Sequence, residues 1–308
     1  MILVAGIPTE SPVADVVEAL VDSGGDVVVL NQRQVADIDF ELSVASDGGV
    51  DGLLRIDRRR WNLHEITGCY ARLMDDRLLP EVRDLPDDSP LRERSRRLVD
   101  TLSTWMDIAP GHMLNRPGAM VSNSSKPYQA QVITRHGFSV PETVITNDPA
   151  TAAEFYHSHD RVIYKSVSGV RSIVETMKDD DLARVEQVRA CPVQFQAYVP
   201  GVDVRVHTIG DEVFASAVTS TATDYRYASV QAEVPAELHA TELEAAVAGR
   251  CVELAADLGL DFAGIDLKIT PDDEVFCFEV NPSPAYSYFE SLTGQPMAAS
   301  VARHLMSA

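Results

Sequence analysis

Lysine is scarce in this chain of 308 residues: among 26 basic side chains only Lys126, Lys165, Lys178 and Lys268 are lysine. Coding bias toward arginine accounts for the scarcity but not for where the survivors sit, and a compact, strongly hydrated ammonium is not interchangeable with a guanidinium. Cysteine is equally thin. Cys69, Cys191, Cys251 and Cys277 are scattered with no Cys-x-x-Cys pair, which argues against a cysteine zinc site and fits a reducing compartment. Long apolar runs are missing too. The longest, such as Ile2–Ile7 and Val27–Leu30, fall far short of the ~20 residues that cross a bilayer. The N-terminus lacks the basic region and apolar core of a signal peptide and the C-terminus lacks an anchor, so a cytoplasmic location is expected. Positive charge is in deficit, with 47 acidic against 26 basic residues and a net charge of −21. Such a surface repels phosphate backbones and anionic lipid, so neither nucleic acid nor membrane is an expected partner, and an anionic ligand needs a local basic pocket. Only Gly6 occupies the first strand–helix turn, and no G-x-x-x-x-G-K-[ST] loop occurs. Both the dinucleotide fingerprint and the P-loop are therefore absent.

What is present is an ordinary globular composition, 45% apolar and 24% charged, which excludes global disorder. Met1–Ile7 reads as a strand. Val13, Val16, Val17, Leu20 and Val21 follow helical spacing up to Gly24-Gly25, and Asp26–Leu30 reads as a second strand. This is a β-α-β opening with a parallel sheet. A charged, proline-bearing loop at 84–90 leads into a helix over Leu91–Met106, and the polar stretch Asn115–Ser125 marks a boundary. Beyond it the pattern gives a helix from Lys126 to Gly137, an extended Phe138–Thr146, a helix over Pro149–Ser158, a strand over Arg161–Val167 with a glycine turn at Ser168-Gly169, a helix over Asp179–Arg189 and a strand over Pro192–Val199. Strands at Val202–Ile209, Glu212–Thr219, Ala263–Ile269 and Glu274–Val280 and a helix over Glu242–Leu258 complete the chain. There are no internal repeats.

The richest segment runs from Gly264 to Pro282, where two strands flank Pro271–Glu274 as a hairpin. A loop centred between Asp272 and Asp273 sets Asp266 opposite Glu279, with Asn281 two residues further on the same face. Phe276, Phe278 and Val280 are then expected on the other face. Two carboxylates directly opposite repel by an amount on the order of 0.2–1 kcal/mol. A divalent cation between hard oxygen ligands removes that cost; a solvated polar face is the bland alternative. Lys165 lies in an apolar strand ahead of the Ser/Gly turn, where its ammonium suits phosphate oxygens or simply reaches water past a sheet edge. Lys126 stands at a helix start after Asn123-Ser-Ser. Asp203 and Arg205 project to one strand face and Arg226 lies in a polar stretch. Both arginines suit a carboxylate or phosphoryl clamp, with surface ion pairs as the alternative. His157-Ser-His159 reads as a solvated helix end rather than a metal pair.

In this order, Ser125-Lys126-Pro127, Val162-Ile-Tyr-Lys165, Gln196-Ala-Tyr198, Asp203-Val-Arg205, Gly264-Ile-Asp266 and Phe278-Glu-Val-Asn-Pro282 resemble the ATP-grasp ligases, especially their RimK-like branch, over roughly residues 110–305. The resemblance implies an α/β ATP-grasp fold: an N-terminal α/β domain over 1–115, a central lobe with the glycine-turn loop over 116–200, and a C-terminal lobe with the metal site over 201–308. It implies ATP and Mg²⁺ (or Mn²⁺) as cofactors. Lys126 and Lys165 would bind phosphates, the backbone of Gln196, Ala197 and Tyr198 would hold adenine, and Asp203 would face the ribose. Asp266, Glu279 and Asn281 would hold the metal. Arg205 and Arg226 would stabilise charge on the transferring phosphoryl group and on an acyl phosphate, and the Ser166–Arg171 loop would cover them.

The implied activity is ADP-forming ligation of a carboxylate to an amine, with an amino acid or peptide as substrate. Val144–Pro149 and Tyr288–Pro296 also resemble ligases that crosslink ribosomal peptides through side-chain esters or amides, although Thr67-Gly-Cys-Tyr-Ala-Arg72 departs from the tryptophan-bearing version expected in those enzymes. A nucleotide-binding module without catalysis is the remaining alternative, and homo-oligomerisation is implied by the resemblance alone.

Overall fold

The apolar N-terminal run forms β1 (Ile2–Gly6), followed by α1 (Ser11–Asp22) and β2 (Val27–Asn31). Val13, Val16 and Leu20 supply the buried stripe of α1, and the helix ends at Ser23 before Gly24, whose φ of 75° suits glycine. β1 pairs in parallel with β2, as the β-α-β pattern requires. In the computed structural model, which describes residues 1–167, 174–219 and 237–307, the chain next makes an antiparallel meander of β3 (Ile38–Val44), β4 (Val50–Ile56) and β5 (Arg59–Asn62). Strand β6 (Gly68–Arg72), helix α2 (Pro90–Ile108) and strand β7 (His112–Leu114) then complete a parallel sheet in the order β2-β1-β6-β7. The meander is absent from the sequence reading, because its strands carry few buried residues and hence little alternation.

The stretch read as a polar boundary is folded. It holds α3 (Pro117–Met120) and a single 3₁₀ turn over Val121–Ser124. α4 (Lys126–Arg135), β8 (Thr143–Thr146), α5 (Pro149–His157), β9 (Val162–Ser166), β10 (Glu175–Thr176), α6 (Asp179–Ala183) and β11 (Val193–Ala197) follow. The central antiparallel sheet has the order β10-β9-β11-β8. The helix expected over Asp179–Arg189 is instead a short α-helix and a 3₁₀ segment over Val185–Ala190. Leu182, Val185 and Val188, spaced by three, all pack on the sheet's apolar cluster, which matches the 3₁₀ period. Likewise the extended Phe138–Thr146 divides its allegiance: Thr143–Thr146 joins β11, while Ser139 bridges to Phe276.

β12 (Val202–Ile209), β13 (Glu212–Thr219), β14 (Glu237–Thr241), α7 (Ala245–Asp257), β15 (Phe262–Ile269) and β16 (Val275–Asn281) build an antiparallel sheet in the order β14-β13-β12-β15-β16. Val204, Val206, Ile265, Leu267, Cys277 and Val280 pack under α7 and α4. Finally α8 (Ser287–Thr293) and α9 (Met297–Met306) return to the N-terminal sheet, where Phe289, Val301 and Leu305 share a core with Val4, Val16 and Leu20. Each fully buried aliphatic side chain there contributes ~1.5–3 kcal/mol.

The β15–β16 hairpin contains the main departure from simple alternation. Ile269 pairs with Val275 and Leu267 with Cys277, then a bulge inserts Phe278 and Asp266 pairs with Glu279. The expected Asp266–Glu279 pairing therefore holds, although the turn is centred one half-residue earlier. The expected common face of Phe276, Phe278 and Val280 does not hold. Cys277 and Val280 are fully buried in the core, whereas Phe276, paired with Lys268, and the bulged Phe278 lie on the side of Glu279 and Asn281. An extra residue in one strand reverses the alternation beyond it.

No helix among the described residues is long and apolar enough to cross a membrane.

Candidate active site

Glu279 sits on an edge strand, and an edge strand needs its outward backbone groups satisfied. Gln129 supplies them for Val280, donating from Nε2 to its carbonyl at 2.7 Å and accepting from its N–H at 3.2 Å. Ser139 does the same for Val275 and Cys277 through its backbone. Asn115, only 4% exposed, donates to the carbonyls of Phe262 and Pro282 and accepts from the Phe262 N–H. Three polar residues thus hold the carboxylate-bearing hairpin at both ends. None was singled out in the sequence reading; the signal available for Gln129 was its position one helical turn after Lys126.

The cleft lies between the central and C-terminal sheets. Ile163, Lys165, Gln196 and Tyr198 line one wall, and Asp203, Asp266, Lys268, Phe278 and Glu279 the other. Six of the residues expected from sequence therefore face one space. Lys126, at the start of α4 behind the Ser125 cap, reaches in from the rim: its Nζ lies 3.0 Å from Glu279 Oε2 and 2.9 Å from Asn123 Oδ1. Arg205, 6% exposed, places Nη1 2.6 Å from Asp266 Oδ1. Lys268 lies 3.2 Å from Asp203 Oδ1, which ties the ribose-side candidate to the next strand. Two cations approach the Tyr198 ring, with the Arg161 guanidinium 3.8 Å and Lys268 Nζ 5.4 Å from its centre.

Two sets of contacts bear on the expected roles. The Asp266–Glu279 repulsion does not by itself demand a cation, since Arg205 and Lys126 already set a positive charge beside each carboxylate. And the backbone N–H groups of Ala197 and Tyr198 are engaged by the carbonyls of Glu142 and Arg161, so those two amides are not donors for an adenine ring. Gln196 is also engaged, through Nε2 to Thr143 Oγ1. Asn281 stands two residue pairs beyond the Asp266–Glu279 pair, opposite Gly264, with its Oδ1 accepting from the Ser283 N–H. Arg226 and residues 168–171 of the expected cover loop lie outside the described residues.

The donor set nonetheless fits Mg²⁺. Facing carboxylates on paired strands are hard oxygen ligands of the kind it takes, with positions left for phosphate oxygens and water.

Gly264 explains why Arg205 can lie flat across the sheet. A Cβ at this position would stand 2.1 Å from Arg205 Nη2 and 2.6 Å from its Cζ.

Next along β12, His207 is fully buried with its ring edge-on to Phe289, and neither ring nitrogen has a hydrogen-bond partner. Burial, and secondarily the Arg205 charge, hold its pKa well below the ordinary 6.5. His207 is therefore neutral in the fold but protonates in the unfolded chain below about pH 6.5. The unfolded state then binds the extra proton, so stability is full above that pH and is lost at about 1.4 kcal/mol per unit as pH falls through it. His207→Leu is expected to raise stability at neutral pH by about 1–3 kcal/mol and to flatten the loss between about pH 6.5 and 5. Thermal melts across that range check both. An unchanged acid slope would show that His207 is not the group responsible.

A cleft between two antiparallel sheets, rimmed by lysines and floored by paired carboxylates, defines the ATP-grasp class. The profile of the RimK-like ATP-grasp domain matches residues 123–305, and the chain belongs to that family of ligases. Mouse (Mus musculus) N-acetylaspartylglutamate synthase A is 25% identical over 213 residues, covering 63% of this chain. The alignment covers 54% of the mouse protein, so this chain spans about half the length of that relative. Among solved structures, a Chryseobacterium gregarium RiPP-associated ATP-grasp ligase in complex with ADP and a leader and core peptide superposes with a TM-score of 0.82 at 21% identity, over 99% of this chain and 96% of the other. The ATP-grasp ligase PsnB, complexed with a phosphomimetic variant of its minimal precursor, Mg and ADP, superposes with a TM-score of 0.81 at 25% identity, over 99% and 97%.

Proposed function

We propose that this protein is an ATP-dependent, ADP-forming ligase that activates a carboxylate as an acyl phosphate and passes the acyl group to an amine, with a peptide as substrate. The convergence of Lys126, Lys165, Arg205, Asp266 and Glu279 on one cleft carries the reading.

In it, Lys126 and Lys165 neutralise phosphate oxygens from opposite sides. Gln196, Ala197 and Tyr198 border the base through their remaining polar groups, and Asp203, held by Lys268, borders the ribose. Asp266 and Glu279, with Asn281 beyond them, would hold Mg²⁺, which when bound offsets charge on the β- and γ-phosphates. A substrate carboxylate oxygen attacks the γ-phosphorus and the bond to the β-phosphate oxygen breaks, releasing ADP. The amine then adds to the acyl carbon, phosphate leaves, and the amine proton passes to solvent or phosphate. Arg205 sits beside Asp266, where charge on the transferring group accumulates, and Arg226 is assigned the same duty. Positioning and charge neutralisation supply most of the acceleration in such transfers.

The peptide substrate is supported by similarity along nearly the whole chain to ligases solved with precursor peptides, whereas the mouse synthase matches over 63% of it. The same observation favours a second reading, in which the acceptor is a side-chain amine or hydroxyl and the product an intrapeptide amide or ester.

The test is ADP release from MgATP with pooled amino acids and, separately, with peptides encoded beside the gene, followed by mass spectrometry. A product lighter than its reactants by one water, formed only with ATP, is expected. Hydroxylamine sensitivity of a crosslink separates ester from amide. ATP binding without ADP release under every condition would favour the non-catalytic module and overturn the proposal.

A further inference from the structure

A second ligand-bearing cluster lies away from the cleft. His112 opens β7, the edge strand of the N-terminal sheet; Asp261 immediately precedes β15; His304 lies in the last turn of α9. One ligand atom of each lies within 4.8 Å of the others. The two imidazoles are tilted by 53° with centroids 4.4 Å apart. His304 Nε2 is buried without a hydrogen-bond partner and stands 3.8 Å from Asp261 Oδ2, too far for a hydrogen bond. It thus faces the carboxylate at ion-pair distance without a hydrogen bond.

The surroundings hold this arrangement in place. Gly210, at φ 53°, donates its N–H to the Asp261 carbonyl at 2.8 Å. A Cβ on Gly210 would come within 2.8 Å of His304 Nδ1, so the glycine turn both anchors Asp261 and leaves room for the ring with Nε2 on the Asp261 side. Arg116, the nearest guanidinium acting on His112 and Asp261, is engaged by the carbonyls of Met106, Ala109 and Gly111. Ser307 Oγ is the other polar neighbour, 3.5 Å from His112 Nε2.

We infer that His112, Asp261 and His304 form a site for a borderline divalent transition metal such as Zn²⁺, distinct from the Mg²⁺ ligands of the cleft. Two imidazoles and one carboxylate are the donor set such ions prefer, whereas Mg²⁺ takes oxygen. Ligand atoms around tetrahedral Zn²⁺ stand about 3.3 Å apart, so modest side-chain rotations close the present spacing. Half the Asp261 side chain is exposed, which leaves a side open for water to complete the shell. Because the ligands come from the N-terminal sheet edge, the C-terminal sheet and the final helix, the ion would clasp three distant parts of the chain.

The test uses Co²⁺ as the spectroscopic probe and Zn²⁺ as competitor, on the full chain with millimolar Mg²⁺ present. One equivalent of Co²⁺ is expected to bind with visible absorption bands of a nitrogen-containing, low-coordinate site, to be displaced by Zn²⁺, and to raise Tm. His112→Asn and His304→Gln are each expected to weaken binding at least tenfold, while Glu279→Ala retains it. Absence of Co²⁺ binding by the wild-type chain would overturn the inference. So would binding that survives both histidine substitutions, or binding lost with Glu279→Ala, which would place the ion in the cleft. Should a histidine variant fail to fold, Asp261→Asn, at a half-exposed position, provides the same comparison.

Discussion

Glu279→Ala is expected to lower ATP turnover about a hundred- to a thousandfold, the range found when a single preorganised electrostatic group is removed from a transferring centre. The substitution deletes a carboxylate that faces Asp266 across paired strands and holds Lys126 at 3.0 Å. Two elements of the proposed phosphate site are therefore disturbed at once: one metal ligand is gone and the Lys126 ammonium keeps only Asn123 of its two partners. The fold should survive. The Glu279 side chain lies in the cleft wall, while the backbone of β16 stays clamped at Val280 by Gln129 and at Cys277 by Ser139. Steady-state ADP release at saturating ATP, with a melt of the same sample, separates the two. Turnover within a few-fold of wild type would exclude Glu279 as a ligand of the reacting phosphates, and a collapsed Tm would recast it as structural.

Gly264→Ala is expected to act on the same chemistry from a residue that itself carries none. The added methyl group would overlap Arg205 Nη2 at 2.1 Å and press on Pro284 Cβ at 2.8 Å. Arg205 is 6% exposed and paired to Asp266 at 2.6 Å, so it has little room to move without giving up that pair. Overpacking of this kind costs about 1–3 kcal/mol of stability, and displacement of the guanidinium should lower turnover nearly as far as Arg205→Ala does. A double-mutant cycle makes the mechanism checkable. In an Arg205→Ala background, Gly264→Ala should cost little further activity and only the stability that its contact with Pro284 requires. Additive activity losses would mean that the glycine serves something other than Arg205.

These expectations differ in how much a linear reading supplies. The β-α-β opening and the strands Val202–Ile209 and Glu212–Thr219 are legible because their apolar residues recur at intervals the backbone itself imposes. The pairing of Asp266 with Glu279 follows from a turn centred between Asp272 and Asp273, but in the fold the turn lies half a residue earlier and the Phe278 bulge restores the pair. Lys126, Lys165, Gln196, Tyr198 and Asp203 are found by motif order, which carries the family and with it the cleft.

Tertiary structure decided what depends on groups distant in sequence meeting in space. The Phe278 bulge reverses the strand's alternation for a packing reason, the burial of Cys277 and Val280 together, that no local period encodes. The glycine that admits Arg205 lies two strands of chain away from it. Asn115 and Gln129 read as ordinary polar residues until Phe262, Pro282 and Val280 present their backbone groups to them. The histidines that matter are not the neighbours His157 and His159. His159 is held by Glu142 and the Phe155 carbonyl, whereas His112 and His304 meet only because α9 returns to the edge of the N-terminal sheet. By itself the sequence determined many of the elements and the family, since period and motif are properties of neighbours along a chain. Only the fold decided which charges face one another, because that is a property of neighbours across it.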